Sequence, residues 1–233
     1  MLVRQLTKQL STSLNTALSG VAEAITRVLV DLSPTSNGFY SLNSSFIAAS
    51  DHTVECDFYA SSFASRVVLV GNTDAGGTFI RINSATEIIF HIVSGVVVTV
   101  TLSQAIPANK LSKIKTVLVG SNLKIFLNGV LVGQGTLSGT LQAANYNVIG
   151  QKGGTHYFDG IISNVKFKDT VTLSNKLDFA LNKLTANTET NNGVTLTYNN
   201  IGTANTIRDT YTLSADGTQL ISDLRTIDIA AQA

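Results

Sequence analysis

The sequence predicts a mostly-β protein: an antiparallel two-sheet sandwich, with an N-terminal α-helix before it and a small polar β-rich C-terminal segment after it. Three observations predict this. The first thirty residues carry apolar side chains at helical spacing. From Phe46 to about Asp169, short β-branched runs are separated by Gly, Asn and Ser. No helical run of useful length interrupts those strands, which argues against a parallel α/β sheet. The expected organisation is a helix over 1–34, a sandwich over 35–170, and an extension over 171–233.

In the helical segment, Leu6, Leu10, Leu14, Ala17, Leu18, Val21, Ile25 and Val28 recur mostly three and four residues apart. Gln, Thr, Lys and Ser fill the opposite face. Ser33-Pro34 ends the pattern, because proline has no amide hydrogen and restricts the residue before it. Such a helix is marginal alone, so its stripe must bury against something. Either it docks on its own sandwich, or it forms a short coiled coil or bundle with copies of itself. Its place ahead of the sandwich leans the reading towards a homo-oligomer, a trimer.

Residues 35–45 (TSNGFYSLNSS) read as a turn-rich connector. The strands expected after it are Thr53–Ala60, Arg66–Gly71, Thr78–Asn83, Glu87–Ile92, Val96–Leu102, Thr116–Val119, Leu123–Leu127, Val130–Gly133, Tyr146–Ile149 and Tyr157–Lys168. Their lengths and spacings suit a sandwich or barrel. Asn128-Gly129 lies between two apolar runs. Both residues accept the positive φ of a type I′ turn, so a hairpin is expected there. Past Asp169, Thr170–Leu173, Val194–Tyr198 and Thr210–Leu213 are further strand candidates. They either complete the sandwich or make a small second module.

Composition narrows the function classes. The chain has 233 residues, a formal net charge of +1 and only 13% charged residues. It offers no basic stripe to neutralise phosphates, so nucleic acid is not an expected partner. The single cysteine, Cys56, excludes an internal disulfide and a four-thiolate zinc site, and reads as a small buried hydrophobe. The N-terminus has no continuous apolar core of a signal peptide, and the longest apolar runs, such as Val67–Val70, are too short to cross a bilayer. Synthesis in the cytosol without membrane insertion is expected.

Two segments carry a family resemblance. LKIFLNGVLVG resembles the "Y-V-N-G" hairpin of laminin G-like and concanavalin A-like domains, with Phe126 at the aromatic position and Asn128-Gly129 at the turn. NVIGQKGGTHYFDGIISNVKFKD resembles that family's closing strands, with Ile149-Gly150, Phe158, Gly160, Ile162, Val165 and Phe167 matching in order. Lys168 and Asp169 stand where the family pattern has Tyr and Asn, a departure at a packing position. The resemblance covers roughly residues 46–170 and implies a concanavalin A-like jelly-roll. It leaves function open, because the family includes glycan binders, protein-binding modules, glycoside hydrolases and virus-particle proteins. The layout of helix, sandwich and polar β tail, ending in Asp209-Thr210-Tyr211-Thr212-Leu213, also resembles bacteriophage structural proteins.

Catalytic patterns are incomplete. A retaining glycosidase needs two carboxyl groups about 5 Å apart. On this fold the laminarinase family supplies them as E-x-D-x-x-E from one strand. Here Glu55 and Asp57 are present, but Ala60 replaces the last acid. The pair is expected on the exposed face of a strand, with Cys56 and Phe58 inward. His52, His91 and His156 lack metal-ligand spacing, and no G-x-S-x-G elbow occurs. No cofactor is expected. Calcium is the one ion the loops could hold, through Asn72, Asp74 and Asp159, yet such residues in Gly-rich loops are more often turn formers.

For a glycan, an aromatic platform with nearby polar side chains is needed, and no Trp is available. Tyr59, Tyr146, His156 and Tyr157 remain, and Tyr157 adjoins the Gly-rich loop 152–155. The candidate rim site is therefore Tyr157, His156, Lys152 and Asp74. The leading functional expectation is a bacteriophage virion subunit (tail-fibre, receptor-binding or capsid-decorating), made in the host cytoplasm. It would contact other virion proteins and present a lectin-like sandwich to a host surface glycan. A stand-alone carbohydrate-binding or adhesion module is the alternative, and a glycoside hydrolase a third.

Overall fold

A computed structural model describes residues 38–48, 51–60, 62–63, 67–74, 77–92, 95–154, 156–169, 176–181 and 188–199, and the backbone course of 25–30, 205–213 and 220–229. The strands in chain order are β1 (Ile25–Val30), β2 (Phe39–Ala48), β3 (His52–Tyr59), β4 (Val67–Gly71), β5 (Phe79–Ser84), β6 (Glu87–Ile92) and β7 (Val96–Thr101). They continue as β8 (Ser112–Val119), β9 (Asn122–Leu127), β10 (Val130–Thr136), β11 (Ala144–Ile149), β12 (Gln151–Lys152), β13 (His156–Tyr157) and β14 (Ile161–Asp169). The last are β15 (Lys176–Phe179), β16 (Thr188–Asn191), β17 (Val194–Asn199), β18 (Asn205–Leu213) and β19 (Leu220–Ile229).

Two antiparallel sheets form the sandwich. One has six strands in the order β10-β9-β8-β3-β14-β15, and the other eight in the order β16-β17-β2-β11-β4-β5-β6-β7. Alternation along each strand decides its two faces. In β3, Val54, Cys56 and Phe58 are buried, while Glu55, Asp57 and Tyr59 are half-buried on the solvent side. In β8, Ile114, Thr116 and Leu118 point inward and Lys113, Lys115, Val117 and Val119 outward. The β9–β10 hairpin forms as its sequence predicts: Leu127 pairs with Val130, and Asn128 and Gly129 take φ of 51° and 85°.

The core between the sheets is aromatic and aliphatic. Phe46 of β2 stacks on Phe167 of β14 across the sandwich at 5.3 Å between ring centroids. Phe58, Phe90, Phe158 and Phe179 are also fully buried. Burying each such ring contributes about 1.5–3 kcal/mol. A polar contact crosses the core, where His52 Nε2 meets the Tyr146 hydroxyl at 3.0 Å.

The observed elements correct the sequence reading in three places. The connector expected over 35–45 is largely strand: β2 runs through it and lies between β17 and β11. Its Ser- and Asn-rich stretch hides an alternation, with Tyr40, Leu42, Phe46 and Ala48 buried. The strand expected over Tyr157–Lys168 is two, because the chain breaks at Phe158–Gly160 between β13 and β14. Of the two alternatives left for the segment after residue 170, the strands up to residue 199 follow the first and complete the sandwich. Strand β15 closes one edge of the six-stranded sheet, and β17 and β16 extend the eight-stranded sheet.

The third correction concerns the helix expected over 1–34. Leu6, Leu10, Leu14, Ala17, Leu18 and Val21 lie outside the described residues. Ile25 and Val28, however, fall in β1, which pairs antiparallel with β18. Four of its six residues (ITRVLV) are β-branched, which favours the extended backbone. Strands β1, β18 and β19 form a separate three-stranded sheet. The strand expected over Thr170–Leu173 lies outside the described residues, and Thr210–Leu213 is part of β18.

Candidate functional site

The rim residues singled out by sequence sit on two connected loops. Strands β12 and β13 form a small hairpin in which Lys152 pairs with His156 and Gln151 with Tyr157. Directly opposed residues in an antiparallel pair share a face, so Lys152 and His156 stand side by side. The β4–β5 loop carries Asn72 and Asp74. It is tied to the hairpin by a hydrogen bond from the Gly153 amide to the Asn72 carbonyl, 3.2 Å. The fold thus puts Lys152 and His156 on one face of the hairpin and Tyr157 on the other, with the Asp74 loop bonded to the hairpin's turn. Asp159 follows two residues after Tyr157 and is half-buried.

The loop is locked by its own polar side chains. Asn72 is buried, and its Oδ1 accepts from the Asp74 amide at 2.8 Å while its Nδ2 donates to the Asn145 carbonyl at 3.2 Å. That first bond is the local turn an Asx residue makes. The Thr73 amide donates to Asn147 Oδ1 at 2.9 Å, and Asn147 Nδ2 donates back to Thr73 Oγ1 at 3.1 Å. Asp74 itself stays exposed. Among the described residues, no three His, Cys, Asp or Glu side chains converge in a group that could hold a metal. Asn72 spends its side chain on the turn.

Beside the loop, the Phe79 ring meets three partners, of which the Arg81 guanidinium lies 5.7 Å from its centroid. His91 stacks on the ring at 4.8 Å and 9°, and the Lys152 ammonium lies 4.0 Å from its centroid. His91 Nδ1 bonds the Gly77 carbonyl at 2.9 Å. Burial pushes the His91 pKa below its ordinary value, against the pull of that carbonyl, and the Lys152 charge lowers it further. Burial and the lysine charge thus both favour the neutral imidazole. The Tyr157 hydroxyl donates to the Gly154 carbonyl at 3.0 Å, and its ring tilts against Phe39 at 6.3 Å. Of the other aromatics weighed, Tyr146 is buried in the core, while Tyr59 lies on the outer face of β3 with its hydroxyl 3.4 Å from Asn109 Oδ1.

The Glu55 and Asp57 pair lies on the outer face of β3, as expected, and both carboxylates are engaged. Glu55 Oε2 meets Lys113 Nζ at 3.0 Å, and Oε1 meets Lys115 Nζ at 3.3 Å. Asn164, at a bulge in β14 with φ of 48°, donates to Asp57 Oδ2 at 2.5 Å. Burial raises the Glu55 pKa, but the hydrogen bonds and charges of Lys113 and Lys115 outweigh it, and the carboxyl sits below its ordinary value. A general acid for glycoside cleavage needs the opposite shift.

Sequence reasoning missed Phe79, Asn145, Asn147 and Thr73 on the rim. It also missed the lysine ladder around Glu55. The ladder was legible: Lys113 and Lys115, like Lys124 and Phe126, are two apart on strands and so share a face. The rim was not, because its members come from separate turns joined only by folding.

A family model described as "Concanavalin A-like lectin/glucanases superfamily" matches residues 34–177, more than half of the chain. Among solved structures, the native heptameric SAP-like pentraxin from Limulus polyphemus is similar at 13% identity and a TM-score of 0.50, covering 63% of this chain and 76% of that one. Domains LG4-5 of the mouse laminin alpha1 chain are similar at 15% identity and a TM-score of 0.46, over 73% of this chain and 45% of that one. The carbohydrate-binding module CBM66 from Bacillus subtilis is similar at 16% identity and a TM-score of 0.37, over 56% of this chain and 78% of that one. A search of the curated proteins found no match.

Proposed function

Because this chain belongs to the concanavalin A-like lectin/glucanase superfamily, we propose that it is a non-catalytic glycan-binding module whose site is the rim formed by the β4–β5 loop and the β12–β13 hairpin. The observation that carries the reading is the pre-locked loop: Asn72, Thr73 and Asn147 hold it by hydrogen bonds, and it carries the exposed Asp74 and is bonded to the turn of the hairpin that holds Lys152, His156 and Tyr157. A rigid set of donors and acceptors binds sugar hydroxyls without a further ordering cost. The aromatic face is Tyr157, whose hydroxyl is already satisfied and whose ring remains half-exposed. The fully ion-paired Glu55 supports the non-catalytic part of the reading.

A glycan array probed with the full chain tests this. Binding is expected, with Tyr157→Ala and Asp74→Ala each weakening it about tenfold or more, as loss of a buried polar or stacking contact does. Release of sugar from an array glycan, or binding indifferent to both substitutions, contradicts the reading.

A second reading concerns where the module works: as a trimeric subunit of a bacteriophage particle, in contact with other virion proteins and presented to host glycans. One observation favours an assembly role. A strand from the first thirty residues and two strands after residue 204 form a sheet of their own, not hydrogen-bonded into either sandwich sheet. Copies on one particle would gain by multivalency even if each rim bound weakly.

A further inference from the structure

The outer edge of β15 is closed by side chains instead of a strand. Strand β15 ends the six-stranded sheet, and β14 pairs with it on one side. On its other side stands the β16–β17 hairpin, whose β16 is the outermost strand of the eight-stranded sheet. Three side chains reach across. The Glu189 carboxylate accepts from the amides of Ala180 and Leu181 at 2.8 and 2.9 Å. Asn191 Oδ1 accepts from the Asp178 amide at 3.1 Å, and Asn192 Nδ2 donates to the Lys176 carbonyl at 2.6 Å. These bonds satisfy edge groups that a free outer strand would offer to another chain.

Asn192 also opens an Asn-Gly turn. It has φ of 48° and Gly193 φ of 77°, close to the 51° and 85° of Asn128-Gly129. Both pairs are exposed, and both glycines have open space around them. Such a pair is chemically labile, because a glycine without Cβ lets its amide nitrogen approach the side-chain carbonyl carbon of the asparagine before it. The two turns differ in what holds the asparagine. Asn128 makes two bonds to Lys113: its Oδ1 accepts from the Lys113 amide, and its own amide donates to the Lys113 carbonyl, each at 2.8 Å. It follows β9, which is paired on both sides. Asn192 holds Lys176 as a donor, and it follows a strand of four residues paired only with β17.

We propose that Asn192 is a self-modification site, and that its deamidation releases the β16–β17 hairpin from β15. The Gly193 amide gives its proton to hydroxide, and its nitrogen attacks Asn192 Cγ. The new N–Cγ bond forms as the Cγ–Nδ2 bond breaks, and Nδ2 leaves as ammonia with a proton from water. The succinimide that results takes up one water and opens to aspartate or isoaspartate. Water is the only co-reactant. The reaction requires the Asn192 side chain to leave Lys176, which local opening at an outermost strand allows. Asn128, doubly bonded between paired strands, reacts more slowly. The step is also one-way for the clasp. A carboxylate has no hydrogen to donate to the Lys176 carbonyl, whereas aspartate at 128 keeps the acceptor that the Lys113 amide needs.

The test has two readouts on the full chain. In the first, the protein is held folded in mildly alkaline buffer and its peptides are mapped by mass over time. Asn192 should convert several-fold faster than Asn128. In the second, hydrogen exchange is followed at the Asp178, Ala180 and Leu181 amides. Exchange there should be several-fold faster in Asn192→Asp than in the parent, and unchanged in Asn128→Asp. Conversion of Asn128 as fast as Asn192, or none at Asn192, overturns the site. Unchanged exchange at those three amides in Asn192→Asp overturns the release. So does equal acceleration in Asn128→Asp, which would mean a general loosening of the sandwich.

Discussion

Two buried contacts across the sandwich differ in kind and should differ in weight. Phe167 packs its whole ring against Phe46 and Tyr146. Tyr146 adds to its own ring a hydroxyl bonded to His52. Phe167→Ala removes contact area and leaves a cavity, at a cost of about 3–5 kcal/mol. Tyr146→Phe removes one hydrogen bond and keeps the packing, at about 1–2 kcal/mol. Urea unfolding of both variants should show the larger loss for Phe167→Ala, and the reverse order would mean that the polar bridge dominates the core. Burial also explains Cys56: it pushes the thiol pKa well up, so the residue is an inert hydrophobe in the native state. The inward set of β3 was legible from alternation alone. The partner of His52 was not, since Tyr146 lies 94 residues away.

The best-specified elements are the β9–β10 hairpin and β14, and glycine matters in each for a different reason. Gly129 has φ of 85° and open space around it, so a side chain there meets only backbone strain. Gly160 has φ of 134°, and an added Cβ would fall on the Tyr59 carbonyl as the chain enters β14 beside β3. Gly129→Ala should therefore cost about 1 kcal/mol, and Gly160→Ala about 3 kcal/mol or more, since clash adds to strain. Thermal melts should rank them in that order, and equal shifts would mean that β14 can move away from β3. The hairpin was readable because Asn-Gly is a local signal. Strand β2 was not, because its Ser and Asn residues look like a loop until the sheet on either side assigns them the solvent face.

Across the molecule, the sandwich draws strands from residue 39 to residue 199, while β1, β18 and β19 pair among themselves. In that small sheet β1 and β19 are the outer strands. An outer strand offers unpaired backbone groups to another chain. The trimeric reading therefore predicts a solution mass near three times the 24.6 kDa of one chain. Disruption of β19 by a proline at Leu224, which lies mid-strand opposite Thr210, should return the mass to that of one chain. A full chain that is monomeric at high concentration removes the assembly role and leaves the sandwich as a stand-alone module. Among the described residues, no helix is long and apolar enough to cross a membrane.

The order of residues was sufficient for the fold class, the hairpin, the family-like closing strands and the inward set of β3. Each of these rests on local rules: alternation of period two, turn chemistry at Asn128-Gly129, and β-branched composition. Folding alone decided the rest. It placed β2 inside a sheet, carried the sandwich to Asn199, and set Ile25–Val30 in a strand. It also joined Asn72 to Gly153 and aligned Lys115, Glu55, Lys166 and Asp178 in one row. The physical reason is common to all of these. Strand pairing and cross-sheet contact are long-range, so which residues meet is fixed by register between segments that no local pattern relates.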